Sequence, residues 1–317
     1  MSSDHRVGRL AGGVQLSPRD DLRHRPAPGK RIRDSLFWEV IVPEEMIGMQ
    51  VYLYLTDRGR AGYNVVVWGP ESEPLALHLG SGRIPDSADL DNLSFEGLRL
   101  QQRDPLRSCT LTYQRDDVAI EFDFRGVHDA FSYHQNPDGL PVWFAENRME
   151  QTGRVRGSIQ VGRRRIALDR IAHRDHSWGV RDWSVPQHWK WFVAYTPSAV
   201  AVNGWIWIAR GEWGFGGYVC RDGMTAAIRS IAHHADYDDL MRQRHLAATV
   251  IDVDGGQTEL ILDVFGVVEL PTHDPLATVI REAACHATID GEAGAGQFET
   301  HWVHSYLEYL TKSASSR

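Results

Sequence analysis

Cysteine is scarce in this sequence: Cys109, Cys220 and Cys285 are the 3 thiols in 317 residues, and no two are closely spaced. A zinc ribbon or a disulfide framework needs paired or clustered cysteines, so both are excluded, and a reducing compartment fits better. Positive charge is not in excess either. With a net charge of -8 and a pI near 6.0, the chain lacks the basic face that nucleic acid requires. The basic triplet Arg163-Arg164-Arg165 follows a glycine between apolar runs and reads as a solvated hairpin turn. No apolar run approaches the ~20 residues that span a bilayer. Residues 1–30 are polar, rich in Arg, Asp and Pro, and lack the apolar stretch of a secretory signal. A soluble, cytoplasmic protein with no integral membrane segment is expected. Dinucleotide and P-loop glycine patterns, a Gly-x-Ser-x-Gly elbow and His-Glu-x-x-His are also missing. The expectation is therefore no cofactor and no metal.

Helical periodicity is nearly absent, with one short helix expected around Asp236–Arg244. Instead, short apolar alternations recur between turn residues, as in Gln50–Thr56, where Val51, Leu53 and Leu55 alternate with Tyr52, Tyr54 and Thr56. Turns are expected at Gly153 and Gly162, and a strand over Phe298–Tyr306. Many short strands without intervening helices predict an all-β fold of barrel or sandwich type. No fixed-period repeat supports a propeller or solenoid. The expected organisation is a flexible N-terminal arm (1–30), a first β-unit (31–183) and a second (184–317), with a pocket near their junction.

The stretch that stands out is His173–Trp183, where two His, two Arg, two Asp and two Trp fall within 11 residues. A partly buried polar site needs that mixture of apolar wall and placed charge. Just downstream the tryptophans crowd: 7 of the 11 lie at 178, 183, 189, 191, 205, 207 and 213. On a strand, Trp189 and Trp191 share a face, as do Trp205 and Trp207. Some must be core, yet cores built for stability alone favour Leu, Ile and Val. An acid among such rings would have a raised pKa and could donate a proton near neutrality. Asp175, beside His176 and near Trp178, is the leading candidate. Asp182 divides evenly between chemistry and a structural pairing with a neighbouring Arg or backbone N–H. His173, Asp175 and His176 spell His-x-Asp-His, but the other ligand motifs of metallo-hydrolases are absent, so metal chemistry ranks third.

Asp175-His176-Ser177-Trp178-Gly179 resembles the Asp-His-x-Trp-Gly signature of the carotenoid 1,2-hydratase (CrtC)/AttH-like proteins. The stretches Arg148–Gly153 and Gly157–Ile159, leading through a basic turn into the motif, are similar to the segment before that signature. The form extended by Arg181-Asp182-Trp183 looks like a branch linked to lipid or steroid metabolism. The resemblance implies two consecutive lipocalin-like (calycin) β-domains around a deep apolar cavity. It implies that Asp175 protonates an alkene to a tertiary carbocation, to which water or an internal nucleophile adds. His176, Arg181 and Asp182 would orient the acid or the water, and Trp178 and Trp183 would line the cavity. Trp189, Trp191, Tyr195, Trp205, Trp207 and Trp302 complete the candidate substrate wall. The expected function is a cofactor-independent hydratase, cyclase or isomerase on a small hydrophobic terpenoid, steroid or polyketide. The alternative is a non-catalytic carrier of a hydrophobic ligand, with Asp175-His176 as a clasp between the domains.

Overall fold

A computed structural model describes residues 9–10, 15–27, 29–271 and 278–314. The fold is all-β, in two consecutive sheet systems. The first has 11 strands. From one edge its order is Ala76–Arg83, Arg60–Trp68, Ile47–Thr56, Arg33–Val42, Arg164–Gly179, Asn147–Val161, Val118–Gly126, Ser108–Arg115, Leu98–Asp104 and Leu93–Phe95, with Phe131–Ser132 pairing beside Asn147–Val161. The second is a closed eight-stranded barrel running in sequence order from Pro186–Tyr195 to Glu292–Val303.

Period-2 alternation gives each strand two apolar faces with different destinations. In Arg33–Val42, Leu36, Trp38, Val40 and Val42 join one core, and Phe37 and Ile41 join another. The first core also takes Leu100, Leu111 and Ile120 from strands far away in the sheet order, so the sheet curls around it. The barrel has its own interior, including Phe192, Val202, Val219, Leu262 and Phe298. The remaining core joins the outer face of the curled sheet to the outer face of the barrel. Phe37, Trp68 and Phe144 meet Trp189, Trp191, Tyr195, Trp205 and Tyr218 there. The approach is close: a Cβ on Gly48 would lie 2.5 Å from the Trp68 ring and 3.0 Å from Ala284 of the barrel.

Three local expectations differ from the structure. Gly153 is not a turn; Asn147–Val161 runs through it as one strand. Its bare Cα accommodates Phe124, whose ring carbon lies 2.2 Å from where a Cβ would be. Asp236–Arg244 is not a helix but a hairpin end between Met224–Tyr237 and Gln243–Asp252. There the Asp238 side chain accepts the N–H groups of Leu240 and Arg242. Phe298–Tyr306 is strand only to Val303, after which His304–Ala314 is an α-helix.

The N-terminal segment also departs from a flexible arm over Ser17–Arg25. A short 3-10 turn, Pro18–Asp21, inserts the wholly buried Asp21 carboxylate beneath the first sheet. Asp21 accepts from Arg174 Nη1 and Nη2 (Oδ2, both 3.0 Å), from Gln102 Nε2 (Oδ1, 3.0 Å) and from the Leu106 N–H (Oδ2, 2.6 Å).

Candidate functional site

Between the outer faces of sheet and barrel lies a cavity of about 680 Å³, partly open to solvent. The strand Arg164–Gly179 brings Asp175 and Ser177 to it. Its neighbour Arg33–Val42 brings Arg33, Ser35 and Phe37, and Ile47–Thr56 brings Gln50, Tyr52 and Tyr54. The barrel wall contributes Trp189, Trp191, Trp205, Glu282 and Glu299. Phe144, Arg148, Arg181 and Trp183 close the side.

Register explains the charged end. Glu150 pairs with Asp175 across adjacent strands, so both side chains leave the same face. Arg148 spans them: its Nη2 donates to Asp175 Oδ2 at 2.8 Å and its Nε to Glu150 Oε1 at 2.5 Å. Glu150 has further partners, His173 Nε2 at 2.6 Å and the donating Trp191 Nε1 at 3.1 Å. These environments separate the two acids. Burial alone would raise Glu150, but Arg148 and His173 outweigh it and hold the carboxyl below its ordinary range. Asp175 is pushed up to about 7, chiefly by burial; Arg148 and Arg181 oppose this, while Glu150 and Glu299 add to it. Two carboxyls that share one guanidinium but titrate apart are the arrangement in which one stays ionised and the other exchanges protons near neutrality.

A second acid pair faces them from the barrel. Glu282 and Glu299 are register partners on Thr278–Ile289 and Glu292–Val303. Burial, then the Glu299 charge and a hydrogen bond between the two, raise Glu282 well above the ordinary carboxyl range. Gln297 Nε2 donates to Glu282 Oε2 at 2.7 Å, and Trp189 Nε1 to Glu299 Oε1 at 2.5 Å.

Of the candidate residues, Asp175, Arg181, Trp183, Trp189, Trp191 and Trp205 line this cavity. His176 does not. As the next residue on a strand it points to the opposite face, where its Nε2 lies 3.1 Å from Asp34 Oδ1 and its Nδ1 lies 3.7 Å from Asp21 Oδ1. Burial opposes its charge, but the nearby Asp21 carboxylate and the hydrogen bond to Asp34 prevail and raise it to about 9. Its contacts with Asp34 and Asp21 fasten the N-terminal segment, and it is not a partner of Asp175. Trp178 shares that face and stacks on His24 at 4.3 Å. Asp182 is exposed and caps its own loop, accepting from Ser184 N at 3.0 Å and Ser184 Oγ at 2.6 Å. Trp207 packs behind Trp205 against Trp143, at 5.9 Å between ring centres. Trp302 stacks on His188 at 3.8 Å, in a cluster with Leu307 of the C-terminal helix. Tyr195 ties barrel to sheet: its hydroxyl donates to Glu39 Oε2 at 3.2 Å and accepts from Ile41 N–H at 3.4 Å.

Among the described residues, His24, Asp34 and His176 form the group whose ligand atoms approach closely enough to hold a metal ion. Their spacing is that of hydrogen bonds, with His24 Nδ1 2.7 Å from Asp34 Oδ1, so the carboxylate already bridges both imidazoles. Arg148, Glu150, Glu282 and Glu299 were not singled out as site residues from sequence. Each of the last two is the one acid in its strand stretch, Val279–Cys285 and Ala295–Trp302, among apolar residues mixed with Arg281 in the first and Gln297, Thr300 and His301 in the second.

Known structures place this geometry in a wider context. An AttH-like protein (NE1406) from Nitrosomonas europaea superposes with a TM-score of 0.63 at 15% identity, over 94% of this chain and 100% of that one. Kievitone hydratase from Nectria haematococca gives 0.59 at 13% identity, over 95% and 98%. CghA gives 0.54 at 10% identity, over 86% and 87%. No curated protein matches. Among the described residues no helix is long and apolar enough to cross a membrane. The fold is thus that of the carotenoid 1,2-hydratase/AttH-like proteins. A family model described as a domain of unknown function (DUF7064) matches residues 17–304, and the chain belongs to that family.

Proposed function

We propose that the protein is a cofactor-independent enzyme of the hydratase, cyclase or isomerase type, with Asp175 as its proton donor. The observation that carries this reading is the Asp175 carboxyl on the wall of an aromatic cavity. It titrates at about 7 while its neighbour Glu150 is held ionised. A carboxyl near the working pH is both protonated often enough and acidic enough to transfer a proton. The kievitone hydratase fold is consistent with that chemistry.

In this scheme the Asp175 proton bonds to one alkene carbon as the π pair is consumed, leaving a cation on the other. Trp189, Trp191 and Trp205 present ring surface to it, worth roughly 0.5–2 kcal/mol for each face that meets it. Water adds through oxygen, and its surplus proton returns to the Asp175 carboxylate, which restores the acid. In a cyclase an internal nucleophile replaces the water. Terpenoids, steroids and polyketides are the substrate classes whose apolar bodies suit the cavity. The rival reading, a carrier, rests on the same cavity; with His176 on the opposite face of the strand, the Asp175–Arg148 pair takes the place of the Asp175–His176 clasp.

The test is solvent-proton incorporation. Alkene-bearing terpenoid, steroid and polyketide candidates are incubated with the protein in heavy water and analysed by mass spectrometry. Deuterium enters a substrate with the wild type and not with Asp175→Asn. Equal incorporation by the two proteins refutes Asp175 as the acid.

A further inference from the structure

The cavity has a second polar end that proton donation by Asp175 does not explain. Arg33 and Arg181 both line it, and among the described residues neither has a carboxylate within ion-pair distance. Arg148 in the same cavity contrasts with them, having Asp175 and Glu150. Arg33 Nη2 donates to the Tyr52 hydroxyl at 2.9 Å, and its guanidinium lies 4.1 Å from the centre of the Tyr54 ring. Arg181 Nη2 donates to Ser177 Oγ at 3.4 Å and its Nε to the Phe144 carbonyl at 3.3 Å. Its guanidinium rests 4.0 Å from the Phe144 ring centre and 4.9 Å from that of Trp183. Ser35 Oγ completes the group, 3.0 Å from the Tyr52 hydroxyl.

This end is rich in donors and poor in acceptors. Two half-buried guanidiniums and three hydroxyls face one space; among the described residues neither guanidinium has a carboxylate in ion-pair contact, and Asp175 acts on Arg181 only at longer range. Unpaired cations in a partly desolvated site are costly unless a ligand supplies the counter-charge. The neighbours register that imbalance. Arg181 is pulled down to about 10, first by burial and also by repulsion from Arg148 and Arg33, despite the opposing pull of Tyr52 and, more weakly, of Asp175. Burial raises the Tyr52 phenol, yet Arg33 and Arg181 outweigh it and make it more acidic than usual. Planar guanidiniums fixed on aromatic faces suit a carboxylate, which accepts two parallel hydrogen bonds.

We infer that Arg33, Arg181 and Tyr52 form a carboxylate-binding subsite, so that the ligand is an apolar-bodied carboxylic acid and not a neutral hydrocarbon. The inference rests on the reading of the cavity as a substrate site and sharpens it. Ser177 is two residues from Asp175 on the same strand face, roughly 7 Å along the strand. The ligand's carboxylate therefore sits several bonds from the atom that Asp175 protonates. The arginines lie at the anionic end and the carboxylate pairs and tryptophans at the reacting end, which keeps unpaired positive charge away from a developing cation.

The test uses 9-anthracenecarboxylate and its neutral counterpart 9-anthracenemethanol, titrated against the full chain at pH 7.5 by tryptophan fluorescence. The acid is expected to bind at least 30-fold more tightly than the alcohol. Arg33→Gln and Arg181→Gln are each expected to cut that preference to under 5-fold while leaving the alcohol's affinity unchanged. Arg33 is partly exposed, so its variant reads the subsite even if Arg181→Gln does not fold. Equal binding of acid and alcohol by the wild type, or a preference that survives Arg33→Gln, overturns the inference. An acid preference in a protein whose Asp175→Asn variant incorporates deuterium like the wild type refutes Asp175 as the acid but leaves the subsite standing.

Discussion

Asp175→Asn separates enzyme from carrier by stability as well as by activity. The wild-type carboxyl has an ordinary value of 3.8 unfolded and about 7 folded. A carboxyl with a raised folded value is neutral-favouring in the native state. It costs nothing below pH 4, costs more as pH rises between the two values, and reaches a plateau above 7. Each unit is worth about 1.4 kcal/mol, so the plateau penalty is on the order of 4 kcal/mol at most. Asparagine is close in shape and never ionises, and its carbonyl can still accept from Arg148, which keeps Glu150 as its charge partner. The variant should therefore match the wild type within ~1 kcal/mol near pH 4 and exceed it by about 2–4 kcal/mol at pH 8. Urea denaturation at half-unit pH steps reads this directly. If Asp175 is a clasp, removing its charge breaks its ion pair with Arg148 and lowers stability most at high pH, where the pair is ionised. A variant less stable than the wild type at pH 8 by more than 1 kcal/mol, or a difference that does not vary with pH, refutes the reasoning.

Other outcomes follow from buried groups away from the cavity. Asp21→Ala leaves Arg174 as an uncompensated buried cation and takes away the more distant of the two carboxylates beside His176, and should cost about 3–5 kcal/mol in chemical denaturation; a loss under 1 kcal/mol would mean the N-terminal segment is not docked. His176 has a folded value of about 9 against 6.5, so the stability it supplies is complete below pH 6.5 and fades as pH rises through 9. His176→Gln should therefore lose more stability at pH 6 than at pH 9.5. Glu39, wholly buried and raised to about 8 chiefly by desolvation, is penalised above its unfolded value of 4.5. Glu39→Gln should accordingly raise Tm at pH 8 and change it little at pH 5. Gly153→Ala would drive a methyl into Phe124 and should cost roughly 1–3 kcal/mol; an unchanged Tm would show that the ring can move aside.

Much of the architecture lay in local pattern. Alternation within Gln50–Thr56 and the paired tryptophans at 189/191 and 205/207 depend on the two-residue strand period. The structure keeps each pair on one face. The same rule, applied to Asp175 and His176, would have sent the histidine away from the acid; the family signature drew the two together on paper, and the strand parts them. Gly153 misled because a glycine marks a turn and a close ring contact equally well in sequence, and only Phe124, 29 positions earlier, distinguishes them.

By itself, then, the sequence determined an all-β chain, a central polar stretch carrying Asp175, and the tryptophan faces beside it, since each follows from composition and side-chain periodicity over a few residues. The tertiary structure alone decided which charges meet. Arg148 and Glu150 reach Asp175 through strand register, and Glu282 and Glu299 line the same cavity from a different sheet. Asp21 reaches Arg174 across 153 positions. Ionic partnership depends on distance in space, which long-range strand pairing sets and local sequence does not encode.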